Sequence, residues 1–483
     1  MGARRYFYQG KRRGVGHFMD LKALFYPESV AVIGASDNLG GGKIPYFHIL
    51  QANGYRGKMY PVNPKYQEIG GVKAYASLEE LPDGVDFTIV SAPAQQSLDI
   101  VRAASRKHFK FIHFFTSGFS ETGNTALEEE MVAAARQGGL RIVGPNCIGV
   151  HCTESGLSFT GSLSTRPPGA IAFLGQSGGI TGNFMGMALS RKIGLNKVVS
   201  YGNQIDIRVE DYLAHFASDD GVRLIACYVE DIKDTRAFLD VLRRTAASKP
   251  VVILKGGKTA LGSQAAASHT GAMASDYVIW AAAARQHGAV LVDDFDQLMH
   301  AVMMGAAPKR PRGKRLGFVG AGGGVSVLFA DMAVEAGFSL PELGERTQAR
   351  IAERIRGINT STTNPVDLGA YGFDLSIMLH TMKAMDEDDS IDVVVPYFSV
   401  EYILHAELLL NVKNSEQPIL DMAREMKKPV VPILANFVED NLDMERTRIA
   451  TFAALRKAGF PVYSKIQDAV YALKKSFEWN QSV

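Results

Sequence analysis

The sequence predicts an α/β protein whose parallel sheets are shared among more than one domain. At 483 residues the chain exceeds what one ordinary core can organise, so two to four domains are expected. Its 46% hydrophobic and 21% charged residues match a soluble globular chain and not a disordered one. Short β-branched runs alternate with longer helical patterns, the sequence form of parallel strands joined by crossover helices.

The first block, 19–150, reads strand Ser29–Ile33, helix Lys43–Asn53, strands Lys58–Val62 and Asp86–Val90, and helix Gln95–Lys107. Strand Lys110–Phe115, helix Thr125–Gln137 and strand Leu140–Val143 complete it. These strands are almost continuously apolar, as a sheet covered on both faces requires. Residues 1–18 form a basic extension (Arg4, Arg5, Lys11, Arg12, Arg13) without the apolar stretch of a secretory signal. A break falls at Thr160–Gly169, where Gly, Ser, Thr, Arg and two prolines replace periodic residues. The second block, 165–307, contains strands Ala170–Leu174, Lys197–Ser200, Arg223–Val229 and Val251–Leu254. A Gly/Ala/Ser-rich loop, Gly256–Ala274, then precedes a helix. The Pro308–Gly313 linker is too rich in proline for a helix or central strand, and a third α/β block, 314–483, follows it.

Lys plus Arg (52) nearly balances Asp plus Glu (50), so the surface lacks the positive field that nucleic acid or an anionic membrane selects. The longest apolar candidate for a membrane span, Leu316–Ala330, is interrupted by five glycines. Cys147, Cys152 and Cys227 form no CxxC pair, which argues against a disulfide framework or zinc site and fits a reducing cytoplasm.

Ser29-Val30-Ala31-Val32-Ile33-Gly34-Ala35-Ser36 is a buried strand ending in a glycine turn, where an α/β sheet offers backbone N–H groups to a phosphate. A dinucleotide fingerprint would continue as GxGxxG and place an acid after the second strand. Here Ser36 occupies the second glycine position, and Val62-Asn63-Pro64-Lys65 puts a cation where NAD enzymes place an anion. A ribose phosphate suits Lys65, so CoA, or NADP, is preferred to NAD; the plainer alternative is a solvated surface lysine.

Ala170-Ile171-Ala172-Phe173-Leu174-Gly175-Gln176-Ser177-Gly178-Gly179 again reads strand, tight turn and helix start, a place for a transferable phosphoryl group. A nucleophile is offered by Ala265-Ala266-Ala267-Ser268-His269-Thr270-Gly271, small residues around one imidazole. A neutral ring nitrogen is nucleophilic near pH 7, and its partner nitrogen wants a carboxylate. Glu230, at the end of strand Cys227-Tyr228-Val229, is suitably placed; Asp231 and Asp206 are also available. Taken alone, a single loop histidine is more often an ordinary polar residue.

Read in order, the strand ending Ile33-Gly34-Ala35-Ser36, Gly144-Pro145-Asn146-Cys147-Ile148-Gly149, Gly175-Gln176-Ser177-Gly178-Gly179, Ser200-Tyr201-Gly202-Asn203-Gln204-Ile205-Asp206, Tyr228-Val229-Glu230 and Ser268-His269-Thr270-Gly271 resemble the NDP-forming acyl-CoA synthetases, relatives of succinyl-CoA synthetase. The resemblance runs from about Met19 to the C-terminus. It implies a CoA-binding Rossmann-like domain followed by two flavodoxin-like domains. It makes His269 the phosphoryl carrier and Glu230 the carboxylate that steadies its ring. Ser177, Gly178 and Gly179 match the helix start facing the phosphate, and Gly34, Ser36, Lys65, Ser117, Gly118 and Asn146 fall in segments that line CoA. The implied reaction converts acyl-CoA, phosphate and NDP reversibly to carboxylate, CoA and NTP through an acyl phosphate and phospho-His269.

Gly320-Ala321-Gly322-Gly323-Gly324 and Asn364-Pro365-Val366-Asp367-Leu368 resemble the family's small third domain. No segment after Arg315 resembles the ATP-grasp domain. The resemblance therefore implies a separate ATP-grasp β subunit that brings ATP or ADP and Mg²⁺, in a homo- or hetero-oligomer acting on a small carboxylic acid. Two other readings stand beside it: a CoA-binding regulatory or scaffold protein without turnover, and an NADP-dependent oxidoreductase.

Overall fold

The computed structural model describes residues 19–38, 40, 44–161, 168–270, 277–357, 359–410, 416–438 and 440–480, with the backbone alone at 267–270, 406–410 and 480. The basic stretch 1–18 lies outside the described residues.

The first sheet is built from β1 (Ser29–Ile33), β2 (Lys58–Val62), β5 (Phe87–Val90), β6 (Phe111–Phe114) and β7 (Arg141–Val143), with a small hairpin of β3 (Glu68–Ile69) and β4 (Val72–Lys73) beside it. Its order is β2-β1-β5-β6-β7, parallel throughout. Valine and isoleucine suit β1 because a strand covered on both faces packs branched side chains on each, and Val30, Ala31 and Val32 are buried. The helix expected over Lys43–Asn53 runs over Tyr46–Ala52, directly after Pro45, and a short helix over Lys22–Phe25 precedes β1; residues 41–43 lie outside the described residues.

The second sheet joins β8 (Gly149–Cys152), β9 (Ile171–Gly175), β10 (Leu195–Ser200), β11 (Leu224–Val229), β12 (Val251–Lys255) and β13 (Ala289–Val292) in the order β13-β12-β11-β9-β10-β8. All neighbours are parallel except β8, which lies antiparallel on β10 with His151 opposite Val198. The chain therefore enters the second sheet at Gly149, before the composition break at Thr160–Gly169. Nothing in the four residues Gly149-Val150-His151-Cys152 announces which sheet they join.

The Gly256–Ala274 segment, expected as a loop, is a helix over Ala260–Thr270. Four alanines outweigh the single glycine, because alanine gives up no side-chain entropy in a helix. Thr259 starts it, its hydroxyl accepting from the Gly262 N–H at 3.1 Å. Residues 271–274 lie outside the described residues.

The third sheet is β14 (Leu316–Gly320), β15 (Val366–Asp367), β16 (Val393–Ser399) and β17 (Ile433–Ala435), parallel in the order β15-β14-β16-β17. The three units are fastened to one another. Arg141 at the start of β7 makes a two-pronged ion pair with Asp206 beyond β10, at 2.7 and 2.9 Å. The last helix, Ile466–Asn480, packs on Phe295–Ala306 of the second unit and on Gly323–Glu335 of the third. Among the described residues no helix is long and apolar enough to cross a membrane.

Candidate active site

In the first sheet β1 is flanked by β2 and β5, so chain connections leave it in opposite directions and open a crevice at the carboxyl ends of the strands. Gly34 turns the chain there with φ +80°, and a Cβ at this position would lie 2.6 Å from the Ser91 carbonyl oxygen, so only glycine fits. Asn63 holds the turn by donating to the Ala35 carbonyl at 2.7 Å, and the Ser36 hydroxyl shares a 3.0 Å hydrogen bond with that of Tyr66. Lys65 follows β2 at the same edge and is exposed. Ser117 and Gly118 follow β6, the latter at φ +112°. Asn146, at φ +56°, follows β7 and donates its N–H to the Thr116 carbonyl at 3.1 Å. All six residues expected to line CoA thus stand at one edge of one sheet.

The matching edge of the second sheet carries the turn expected to face a phosphoryl group. Gly175 is obligatory, since a Cβ there would sit 2.1 Å from the Thr181 hydroxyl. Ser177 caps the Gly178–Ser190 helix, accepting from the Ile180 N–H at 3.4 Å, so Gly178 and Gly179 occupy the first turn, where N–H groups lack intrahelical acceptors. Gln176 ties this turn to the end of β11: its side-chain oxygen accepts from the N–H groups of Glu230 at 2.8 Å and Asp231 at 2.9 Å.

The structure separates the three carboxylates that the sequence offered. Asp206 is 3% exposed and committed to Arg141 and to the Ile142 N–H at 3.1 Å. Asp231 pairs with Lys233 at 3.0 Å. Glu230 is half-buried and hydrogen-bonds to the Tyr228 hydroxyl; burial, then the Glu230 charge, hold that phenol above its usual pKa. The Lys255 ammonium donates to the Glu230 carbonyl at 2.8 Å, and burial lowers its pKa although Asp231 and Glu230 oppose the shift.

His269 lies in the last turn of the Ala260–Thr270 helix, and its ring is outside the described residues. The helix backbone packs against the Ser120–Thr122 turn, immediately after Ser117 and Gly118. The helix that bears His269 and the edge where the six residues expected to line CoA stand are therefore neighbours. Asn203, beyond β10, spans the same junction: its amide donates to Glu121 at 2.6 Å and Glu128 at 2.8 Å. Burial would raise the Glu121 carboxyl, but hydrogen bonds from Asn203, Gly118 and Phe119 outweigh it and hold the group below its usual range. Gln176, Tyr228, Asn203 and Glu121 were not singled out as site residues from sequence. Gln176, Tyr228 and Asn203 stand inside the quoted motifs, but their partners lie too far along the chain for spacing to reveal.

The third unit's two motifs meet in space. Gly322, at φ +116°, caps the Gly323–Glu335 helix and donates to Asp367 at 2.8 Å, and the same carboxylate oxygen accepts from the Gly369 N–H at 2.9 Å.

A CoA binding domain model matches residues 28–153, and a succinyl-CoA ligase like flavodoxin domain matches residues 168–304. The chain is 32% identical over 470 residues to the alpha subunit of acetate–CoA ligase (ADP-forming) II of Pyrococcus furiosus, covering 94% of this chain and 97% of that protein. It is 33% identical over 353 residues to acetate–CoA ligase (ADP-forming) of Methanocaldococcus jannaschii, covering 73% of this chain but 50% of that one. It spans about half the length of that relative. Among solved structures, a dinucleotide-forming acetyl-coenzyme A synthetase 1 from Ca. Korarchaeum cryptofilum, in complex with phosphate and ADP, superposes with a TM-score of 0.83. That match has 27% identity and covers 96% of this chain and 97% of that one.

Proposed function

Because the chain belongs to the ADP-forming acetate–CoA ligase family, we propose that it is the CoA-binding and phosphohistidine-carrying subunit of an acyl-CoA synthetase. The observation that carries this reading is the packing of the His269 helix against the Ser120–Thr122 turn, beside the CoA edge. In the proposed sequence a phosphate oxygen attacks the thioester carbonyl, the C–S bond breaks and CoA leaves as its thiol. A ring nitrogen of His269 then attacks phosphorus, the bond to the acyl oxygen breaks, and the carboxylate departs. The phosphoramidate passes its phosphoryl group to NDP.

This chain's task is to position the groups and stabilise charge. Gly34, Ser36, Lys65, Ser117, Gly118 and Asn146 hold CoA, and the first turn after Ser177 receives the phosphoryl oxygens. Glu230 steadies the charged ring. Nucleotide and Mg²⁺ are supplied by an ATP-grasp partner chain. The three buried, unpaired cysteines accord with a reducing cytoplasm. Neither the scaffold nor the oxidoreductase reading is favoured by this family.

The test is to incubate the chain with an ATP-grasp partner, Mg²⁺ and γ-labelled ATP. An acid-labile, base-stable phosphoryl label on this chain is expected, and its absence overturns the reading. Glu230→Gln, which keeps the shape but removes the charge, is expected to slow labelling by about 10²–10³-fold, the loss typical of one preorganised electrostatic group. Rapid-quench measurement checks this, and an unchanged rate removes Glu230 from the mechanism.

A further inference from the structure

We propose that Gln176 and Lys255 are positioning residues that fix Glu230 relative to the turn expected to receive the phosphoryl group, which rests on the role proposed above for Glu230. Glu230 follows Val229, the last residue of β11, and so lies beyond the ladder that orders the strand, in the connection to the Thr235–Ala246 helix. Peptide groups in such a place need partners from elsewhere.

Those partners are side chains reaching in from the neighbouring strands. The Gln176 side-chain oxygen accepts from the N–H groups of Glu230 at 2.8 Å and Asp231 at 2.9 Å. Both are donors, so the amide must turn its oxygen and not its nitrogen toward them. The Lys255 ammonium, at the end of β12, donates to the Glu230 carbonyl at 2.8 Å, and the Gln204 amide, beyond β10, donates to the Asp231 carbonyl at 3.0 Å. All four backbone polar groups of Glu230 and Asp231 are thus held by side chains. In the sheet β12 and β9 flank β11, so Lys255 and Gln176 reach the Glu230 peptide from opposite sides. Gln176, Gln204 and Lys255 are 3%, 1% and 5% exposed, a placement that costs long polar side chains rotamer freedom and hydration.

Gln176 has a second attachment. It precedes Ser177, the cap of the Gly178–Ser190 helix, and its own N–H donates to the Tyr228 carbonyl at 3.1 Å. One residue therefore belongs to the turn and also clamps the backbone that carries the carboxylate. The spacing between the first-turn N–H groups and Glu230 is set through a single side chain. A preorganised charge acts only where it is held, and a displacement of about 1 Å can cost about 10²-fold in rate.

The test compares Gln176→Met and Lys255→Met, each close to the original side chain in length but without its bond to the Glu230 backbone, in the native and the Glu230→Gln backgrounds. The full-length chain, an ATP-grasp partner, Mg²⁺ and γ-labelled ATP are mixed by rapid quench. In the native background each substitution is expected to slow labelling by about 10–10²-fold, with the ATP concentration at half-maximal rate and the CoA affinity unchanged within about twofold. In the Glu230→Gln background the same substitutions should cost less than about threefold, because no carboxylate is left to position. Native rates in both single variants, or equal losses in the two backgrounds, overturn the proposal and leave the role of Glu230 standing. Labelling of Glu230→Gln at the native rate overturns that role and the proposal with it. The two substitutions lie on different strands, so if one lowers the urea midpoint sharply the other still decides.

Discussion

Replacing His269 with alanine is expected to abolish the phosphoryl label and reduce acyl-CoA turnover by roughly 10⁴-fold or more, the scale set by removing a covalent nucleophile. The expectation rests on chemistry that no neighbour can supply. Ser268 and Thr270 are alcohols, whose phosphate esters do not return the phosphoryl group readily, whereas a phosphoramidate does. CoA affinity should be unchanged, because Gly34, Ser36 and Lys65 stand on the first sheet and the imidazole helix belongs to the second. Equilibrium CoA binding and labelling, measured on the same preparation, separate loss of the carrier from loss of the fold. A labelled His269→Ala protein would transfer the carrier role elsewhere.

Asp206→Ala is expected to destabilise the protein by about 3–5 kcal/mol, the loss seen when one partner of a buried ion pair is removed. Asp206 is 3% exposed and satisfies both Arg141 and the Ile142 N–H, so its removal leaves a half-buried guanidinium and a backbone donor without partners. The urea midpoint should fall by about 1 M or more. The double variant Arg141→Leu/Asp206→Leu should recover part of the loss, because it removes the orphaned guanidinium while the Ile142 N–H stays unpaired. A shift near zero for Asp206→Ala would show that the pair does not fasten the two sheets.

What could be read from sequence follows the reach of each interaction. β1 has the bounds its apolar run predicts, because a strand buried on both faces is encoded in its own residues, and the edge strand β2 also has its expected bounds. The Ala260–Thr270 helix departs from the expected loop because Ala265–Ala267 carry a stronger helix preference than the loop chemistry of Gly256, Gly257, Gly262 and Ser263. The partners that distinguish Glu230, Asp231 and Asp206 are Tyr228, Lys233 and Arg141. Arg141 lies 65 residues from Asp206 along the chain, and no local pattern encodes that pairing.

The antiparallel strand at Gly149–Cys152 has a practical bearing on dissecting this chain. An excised middle fragment begun at residue 168 would leave β10, all of whose residues are buried in the full chain, as a bare border with unpaired amide and carbonyl groups, a template for strand addition between molecules. The same fragment cut before Ile466 would also expose the surface of the Phe295–Ala306 helix that the terminal helix covers. A truncation intended to stay monomeric should therefore keep residues from before Gly149 and retain, or replace, the helix that returns from the far end of the chain.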